Sequence, residues 1–434
     1  MNKSVTVVGG GLAGCEAAYR LADLGFAVTL YEMKPIAKSP AHQMDSLAEL
    51  VCSNSLKAAR VGTAAGLLKA EMRLMGSLLL EIAERCAVPA GGALAVDRDE
   101  FSRLTTQVIE GHQNIRLVRE EVTALPDPPV IIATGPLTSP ALSQAIGQRL
   151  GRAHLSFYDA AAPIVTAGSI DKSIAFPAAR YGRGGEDYLN CPMNQEEYEH
   201  FWEQLVAGER APLKDFEGDG AKFYEGCMPV EVLAGRGKDA LRFGPLKPVG
   251  LTDPRTGRRP WAVVQLRQEN AAATLYNLVG FQTNLKFGEQ KRVFSLIPGL
   301  GNAEFARFGV MHRNTFIDSP RLLDRTFALR EQPLLCFAGQ LTGVEGYMES
   351  AASGILAAGQ LARRLTGRPV LELPPTTMLG ALSSYIADES VTNFQPMGAS
   401  MGLLPSLEVR IKSKQERYEA LAERALQALK SALG

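Results

Sequence analysis

The sequence predicts an α/β protein in which a Rossmann-like, dinucleotide-binding domain is interrupted by an inserted α+β domain. Three observations support this fold class. The chain opens with a strand–turn–helix–strand unit, a buried strand followed by glycine returns in its last third, and the middle has a different texture. An interrupted first domain explains all three.

The opening unit occupies residues 4–31. Ser4–Val8 is a β-branched run, 9–14 is a glycine turn, and Cys15–Leu24 has helical spacing of its apolar residues. A second apolar run, Ala27–Tyr31, follows. This order predicts a βαβ unit with parallel strands.

Three segments are predicted: residues 1–155 as the first part of the dinucleotide domain, 156–304 as the insertion, and 305–434 as the completing part. In the insertion aromatic residues become more frequent, glycine-rich turns appear, and 261–266 and 274–279 have strand-like patterns. The buried-strand pattern returns at 334–339, before a helix near 347–364. Helical spacing also predicts helices over 67–82 and over 412–433.

Composition excludes several classes of protein. Lys plus Arg equals Asp plus Glu at 46 each, which lacks the basic excess of a general nucleic-acid binder but leaves a local basic patch open. No apolar run reaches the roughly 18 residues that a membrane span requires. The N-terminus runs directly into a predicted strand, so we expect no signal peptide and a cytoplasmic location.

Six cysteines occur without CxxC spacing, alongside five histidines, so we expect neither a metal site nor a disulfide framework. From the residues alone, Cys52 and Cys227 are each either packing residues or thiolates facing a ligand. The other four are expected to be packing residues: Cys15, Cys86, Cys191 and Cys336.

The glycine turn fits the GxGxxG fingerprint through Gly9, Gly11 and Gly14. These glycines allow a tight turn, an approach of the backbone to a pyrophosphate, and packing of helix on strand. Glu32 ends the second strand and can accept ribose hydroxyls. The predicted contacts of this half of the cofactor are Gly9, Gly10, Gly11, Leu12, Ala13, Gly14 and Glu32.

Two later segments favour FAD over NAD as the dinucleotide. Residues 131–135, IIATG, resemble the ATG motif of flavoproteins, and residues 336–347 resemble their late segment near the ribityl chain and flavin. No second GxGxxG marks a nicotinamide domain. The predicted fold is therefore a Rossmann-like FAD-binding domain with an inserted α+β domain, and its further FAD contacts are Ala133, Thr134, Gly135, Gly339, Gln340, Gly343, Gly346 and Tyr347.

Ten strings in order resemble one family, the folate- and FAD-dependent tRNA (uracil-5-)-methyltransferases, TrmFO. They run nearly end to end: VVGGGLAGCEAA, YEMKP, ELVCSNSLK, ATGPLTS, YEGCMPVE, GPLKPVGL, NLVGFQT, GEQKRVFSLIPGL, FARFGVMHRN and FAGQLTGVEGYMESAASG. The later half also resembles the related GidA (MnmG) proteins. The two cysteine strings and the short C-terminal part favour TrmFO.

The resemblance implies methylation of C5 of the T-loop uridine, position 54 of tRNA, with carbon from 5,10-methylenetetrahydrofolate. It implies that NAD(P)H reduces FAD, which supplies the reducing equivalents, and it implies no obligate protein partner. Uracil C5 becomes nucleophilic when a thiolate adds at C6. By resemblance Cys227 adds to C6, and Cys52 is the second catalytic cysteine, near the flavin.

The resemblance also assigns substrate contacts. Glu345 and Tyr347 match family positions close to folate and flavin, and Asn284 stands where the family often has a histidine that stacks on the pterin. Phe287 likewise replaces a usual tryptophan. Phosphate contacts are expected from local basic patches such as Lys286, Lys291 and Arg292 or Arg410, Lys412 and Lys414.

Three other functions remain open at this point. A GidA-like modifier of the wobble uridine predicts a partner GTPase and a much longer helical C-terminus. An FAD oxidoreductase acting on a small metabolite predicts that turnover survives Cys227→Ala. A flavin-binding tRNA chaperone predicts that tRNA binds but gains no methyl carbon.

Overall fold

The computed structural model describes residues 4–39, 41–151, 155–182, 185–212 and 228–434. The strands are β1 (Ser4–Val8), β2 (Ala27–Glu32), β3 (Ser55–Ala58), β4 (Ala87–Val88), β5 (Ala93–Val96), β6 (Ile115–Arg119), β7 (Val130–Ile132), β8 (Leu155–Ala160), β9 (Ile164–Thr166), β10 (Phe176–Pro177), β11 (Tyr188–Met193), β12 (Ala262–Gln268), β13 (Leu275–Leu278), β14 (Phe305–Arg307), β15 (Met311–Phe316), β16 (Ala328–Leu329) and β17 (Gln332–Phe337). The helices are α1 (Leu12–Asp23), α2 (Ala64–Leu74), α3 (Leu78–Arg85), α4 (Arg98–Gly111), α5 (Pro140–Leu150), α6 (Gln195–Val206), α7 (Val230–Ala234), α8 (Ala240–Phe243), α9 (Phe287–Phe294), α10 (Ser319–Leu322), α11 (Tyr347–Leu365), α12 (Met378–Ile386) and α13 (Lys414–Leu433).

A six-stranded sheet in the order β16-β17-β7-β1-β2-β6 forms the centre of the first body. Its strands are parallel except for the edge strand β16, and β1 pairs with β2 and β7. Parallel sheets are covered on both faces, which is why β7 reads as the uninterrupted apolar run VII. The chain therefore has the α/β, Rossmann-like topology that its opening unit predicts.

The helical pattern over 67–82 forms two helices rather than one. Gly76 has a φ of +74° between α2 and α3, and the Ser77 side chain accepts the amide of Leu80 as the N-cap of α3. The buried carboxylate of Glu16 accepts the amides of Leu78 and Leu79 as well. The apolar spacing continues across the break because both helices pack on the same core.

A second six-stranded sheet is built from residues 164–307, in the order β10-β11-β12-β13-β9-β14. Its pairs are antiparallel and it has a hydrophobic cluster of its own, which includes Phe201 and Phe281. β8 and β15 form a separate antiparallel pair at the two ends of this segment. The chain thus crosses to the second body and returns along adjacent strands.

Loop 50–54, which lies between β2 and β3 and carries Cys52, is placed where the two bodies meet. Asn54 donates hydrogen bonds to Val96 O (3.0 Å) in the first body and to Gln268 O (2.9 Å) in the second. No helix in the described parts of the chain combines the length and apolarity that crossing a bilayer requires.

Candidate functional site

The glycine turn after β1 has no room for side chains at two positions. Gly9 has a φ of +104°, and a Cβ there would lie 2.6 Å from Ala133 O. A Cβ on Gly14 would lie 1.7 Å from Gly9 O, so α1 packs on the turn only because residue 14 is glycine. At Gly11, by contrast, a Cβ would have no described atom within 4 Å, so this position faces open space.

A cleft of about 80 Å³ adjoins this turn, lined in part by Gly9, Gly11, Glu32 and Thr134. The Glu32 carboxylate accepts the amides of Gly10 (2.8 Å) and Lys34 (2.9 Å), so it holds the turn as well as facing the cleft. Among the described residues no side chain caps α1. Its first amides are therefore available to a phosphate group, and the residues present fit a dinucleotide.

A cavity of about 220 Å³ lies beside loop 50–54. Its wall includes Cys52, Lys57, Gln282, Asn314 and Tyr347. Residue 137 belongs to the walls of both the cleft and this cavity. The two spaces therefore adjoin, as a cofactor with an adenine end and a reactive ring end requires.

Tyr347, the first residue of α11, fixes the backbone of the Cys52 loop. Its phenolic oxygen accepts the amide of Cys52 at 2.7 Å and that of Ser53 at 3.3 Å. Burial raises the pKa of the Tyr347 phenol above its ordinary value. The phenol is therefore neutral at physiological pH and serves as a hydrogen-bond acceptor for the loop.

Two polar pairs complete the wall near the start of α11. Gln340 Nε2 donates to both Glu345 carboxylate oxygens, at 3.0 and 2.9 Å. Lys57 Nζ lies 2.7 Å from Glu349 Oε1, whose side chain is buried, while Lys57 itself is half-exposed. The wall of the cavity therefore contains carboxylates and a cation, which suits a ligand with polar groups.

Cys52 differs from the other described cysteines in exposure. Of the five, Cys52 alone is not buried, and its Sγ makes a weak contact to Ala160 O at 3.6 Å. Burial raises the pKa of the thiols of Cys191 and Cys336 to about 12 and that of Cys86 to about 11. A reactive thiolate must be accessible to its substrate, so Cys52 is the described cysteine suited to chemistry.

Several of the residues predicted for the site lie together. The wall of the cavity contains these predicted residues: Cys52, Gln340, Glu345, Gly346 and Tyr347. The cleft contains Gly9, Gly11, Glu32 and Thr134. Cys227 lies outside the described residues.

Asn284 is placed apart from the residues of this wall. It is buried in the second body, where its side chain donates to Ala211 O at 3.0 Å and its amide donates to Glu231 Oε1 at 2.7 Å. Phe287 is 54% exposed and stacks on Phe308, with ring centroids 4.9 Å apart. Neither residue belongs to the described wall of the cavity.

Sequence reasoning did not single out several residues around Cys52. Asn314 reaches the cavity from β15, and Gln282, which the sequence includes in the string NLVGFQT, reaches it from the second body. Three arginines, Arg98, Arg267 and Arg307, hold loop 50–54. The sequence feature that could have indicated Arg267 is an arginine within a mostly apolar strand, AVVQLRQ of β12.

Comparison with known proteins identifies the family. A family model described as "Glucose inhibited division protein A" matches residues 4–369. A curated relative from Moorella thermoacetica, named Methylenetetrahydrofolate--tRNA-(uracil-5-)-methyltransferase TrmFO, is 59% identical and covers 98% of each chain. The chain belongs to the TrmFO family.

Other relatives agree with this membership. A TrmFO from Acetivibrio thermocellus is 56% identical, again over 98% of each chain. A crystal structure of Aquifex aeolicus GidA has a TM-score of 0.71 at 16% identity and covers 99% of this chain and 73% of that one. At this identity the GidA likeness shows the fold, which is the flavoprotein fold that the glycine motifs predict.

Proposed function

We propose that this TrmFO-family chain methylates C5 of a uridine in tRNA, with 5,10-methylenetetrahydrofolate as the carbon donor. The observation that carries the proposal is that the cleft at the glycine turn adjoins the cavity with Cys52. The chain is also 59% identical to the Moorella thermoacetica relative, whose name states this methyl transfer. The finer proposal is that the target is uridine 54 of the T-loop and that NAD(P)H is the reductant.

The residues that would hold FAD follow from the geometry. The uncapped amides at the start of α1 would bind the diphosphate, and Glu32 lies beside the cleft where a ribose would lie. Gln340 and the start of α11 line the cavity, where the other end of FAD would lie. When bound, FAD supplies the reducing equivalents that convert a methylene carbon into a methyl group.

The chemistry needs a thiolate, because uracil C5 attacks an electrophilic carbon only after a nucleophile has added to C6. We assign that nucleophile to Cys227. A bond forms between its sulfur and C6, and C5 then bonds to the methylene carbon of the folate. The C5 proton leaves as the bond between that carbon and the folate nitrogen breaks, and the nitrogen takes up a proton. Addition of a hydride to the methylene carbon completes the methyl group as the sulfur–C6 bond breaks. Two electrons and a proton from NAD(P)H balance the change from methylene to methyl.

Cys52 is proposed to act beside the flavin end of the site. Its half-buried thiol lies in the wall of the cavity, with the backbone held by Tyr347. From there it can shield the reacting ring system or move a proton at C5. The T-loop base must leave its stack to reach this cavity, as other modified bases do.

Further parts of the proposal concern the location of the protein, its partners and its contacts with tRNA phosphates. The tRNA substrate implies a cytoplasmic location, and the chain is proposed to act without an obligate protein partner. Phosphate contacts are assigned to local basic groups, because the chain has no overall positive charge.

A labelling experiment tests the function. FAD-loaded protein is incubated with unmodified tRNA transcript, NADPH and carbon-labelled 5,10-methylenetetrahydrofolate. We expect label in 5-methyluridine at position 54, loss of labelling in Cys52→Ala, and full labelling in the control Cys86→Ala, whose thiol is buried at the end of α3. Label transferred from S-adenosylmethionine instead, or label at another position, would contradict the proposal.

A further inference from the structure

Loop 50–54 is held by side chains from segments far away in the sequence. Leu50 O accepts a hydrogen bond from Arg98, at the start of α4. Val51 O accepts one from Arg307 Nη2 at 2.7 Å, at the end of β14. With Tyr347 on the amides of residues 52 and 53, the backbone on both sides of the Cys52 thiol is hydrogen-bonded.

Arg267, on β12 of the second body, makes a different contact with the same loop. Its Nε donates to Asn54 Oδ1 at 2.8 Å, and its Nη2 donates to Ser53 Oγ at 2.7 Å. Arg267 is 7% exposed and Asn54 is fully buried. A guanidinium has a rigid fork of donors, so one side chain sets the positions of two neighbouring loop residues at once.

The charges around the loop are unequal. Three guanidinium groups approach it, and Glu269 pairs with one of them, Arg98, at 3.0 Å. Burying a charge is costly, and hydrogen bonds to its donors offset part of that cost. Arg267 makes two hydrogen bonds to the loop, and these bonds fix the positions of the side chains of residues 53 and 54.

We propose that Arg267 is a positioning residue, which holds the Cys52 loop in register with the second body so that the thiol stays at a fixed place in the cavity wall. The proposal rests on the methyl transfer proposed above, in which groups from both bodies meet at one base. The rate of such a reaction depends on the distance between the reacting groups, and a misplacement of about 1 Å can lower it about a hundredfold.

The test compares Arg267→Lys with the wild type, both loaded with FAD. Lysine keeps the positive charge but cannot bridge Asn54 and Ser53 as the fork does. We expect the kcat of tRNA methylation to fall about tenfold or more, with the KM values for tRNA and folate within about twofold. We also expect unchanged FAD absorbance and a several-fold faster alkylation of Cys52 by iodoacetamide, read from its peptide mass.

A matched control is Arg180→Lys. Arg180 is a half-buried arginine of the second body, and it bonds Gln265 Oε1 (2.8 Å) and Val249 O (3.1 Å) rather than the loop. Methylation and Cys52 alkylation should both stay at the wild-type rate. Ser53→Ala removes one acceptor from the loop side and should change both rates in the direction of Arg267→Lys, by a smaller factor.

Two results would overturn the proposal: wild-type rates in Arg267→Lys and Ser53→Ala, or a loss of methylation with no change in Cys52 alkylation. Should Arg267→Lys fail to fold, Ser53→Ala decides between the same outcomes. Failure of the wild type to methylate would reject the proposed function alone, since the alkylation rates still report whether Arg267 holds the loop.

Discussion

The hydroxyl of Tyr347 is the single acceptor for two consecutive amides of the Cys52 loop. Tyr347→Phe leaves both amides without this partner, and an unsatisfied buried donor costs about 1–3 kcal/mol. We expect a lower melting temperature and a methylation rate reduced about tenfold or more, with FAD retained, because the loop moves relative to the cavity. Differential scanning fluorimetry and the labelling assay measure these changes.

Tyr385→Phe is the control for that variant. Tyr385 also bonds the backbone through its hydroxyl, here as the donor to Gln395 O at 2.7 Å, but it lies on α12 outside the described cavity wall. It should leave methylation unchanged. Equal methylation rates in the two variants would show that the Tyr347 hydroxyl has no role at the site.

The cysteines provide a prediction about pH. Burial raises the pKa of the Cys191 and Cys336 thiols to about 12, so at pH 8 only roughly 10⁻⁴ of each is thiolate. Iodoacetamide applied to the native protein at pH 8 should therefore modify Cys52 among the described cysteines and spare Cys15, Cys86, Cys191 and Cys336. Peptide mass spectrometry, with denatured protein as the control, checks this. Rapid native labelling of Cys191 or Cys336 would contradict it.

At the residue scale, the sequence could predict groups that belong to recognisable motifs but not those joined only by folding. The glycine turn and Glu32 share one local pattern, and both border the cleft. Arg267 has no such pattern, because its acceptors lie 213 and 214 residues away in the chain. Asn284 is a different case, because only the family resemblance implies its ligand contact, which stays a prediction, and its side-chain amide donates to Ala211 O.

At the scale of elements, the contact between α1 and the turn after β1 depends on Gly14. Gly14→Ala places a Cβ 1.7 Å from Gly9 O, which the backbone cannot accommodate without moving α1. We expect purified Gly14→Ala protein to lose most of its FAD, measured by the ratio of absorbance at about 450 nm to that at 280 nm, since the helix start would no longer face the diphosphate.

The matched control is Gly359→Ala, within α11, where no described atom lies within 4 Å of the added Cβ. Replacing glycine by alanine inside a helix stabilises it by about 0.5–1 kcal/mol. This variant should keep its FAD and melt slightly higher. FAD retention by Gly14→Ala equal to that of Gly359→Ala would refute the packing argument.

A second element, α12, is capped by a carboxylate from α2. Glu71 is fully buried, its two oxygens accept the amides of Met378 (2.7 Å) and Leu379 (2.8 Å), and burial raises its pKa to about 7. The folded state therefore binds more protons than the unfolded state between about pH 4.5 and 7. In this window the contribution of Glu71 to stability falls as pH rises, by up to about 1.4 kcal/mol per pH unit.

Glu71→Gln removes the titrating group and keeps an acceptor oxygen. The difference in unfolding free energy between wild type and variant should therefore shift against the wild type as pH rises from about 4.5 to 7, in urea titrations at several pH values. Glu423→Gln, at an exposed position on α13, should show no such slope relative to the wild type. A pH-independent difference for Glu71→Gln would contradict the assignment.

The sequence predicts individual helices and strands correctly where packing on a single core determines the spacing of their apolar residues. Ser4–Val8 is a strand as predicted, and Tyr347 begins α11. The break at Gly76 was not predicted, because the apolar spacing continues through it while the capping groups, Ser77 and the distant Glu16, act only once the helices are packed. The periodicity of apolar residues cannot predict helix caps that come from distant parts of the chain.

At the scale of the whole molecule, the parallel sheet could be predicted and the second sheet could not. A βαβ opening with a late returning strand restricts the topology to few arrangements. The order β10-β11-β12-β13-β9-β14 instead depends on antiparallel pairs between segments about a hundred residues apart, such as Asn277 with Ile164. Arg267 and Asn54 then join this sheet to the Cys52 loop.

The two candidate basic patches differ in how far their charges are already neutralised. Lys286 pairs with Glu209, and Arg292 pairs with Glu289, whose pKa its guanidinium lowers to about 2. The other patch is exposed, and none of its members forms an ion pair with a described acidic side chain: Arg410, Lys412 and Lys414. The second patch is therefore better placed to bind phosphates.

The C-terminal patch shares a groove with a residue close in sequence to the cavity wall. Lys414 and Arg60 line this groove, and Lys57, three residues before Arg60, lines the cavity. Alanine at Arg410, Lys412 and Lys414 together should weaken tRNA binding and reduce the slope of log Kd against log salt by about 0.7–0.9 per lost contact. Filter binding at several salt concentrations measures the slope. Lys286→Ala should change it less, because Glu209 already shares that charge, and a larger effect of Lys286→Ala would move the tRNA surface to α9.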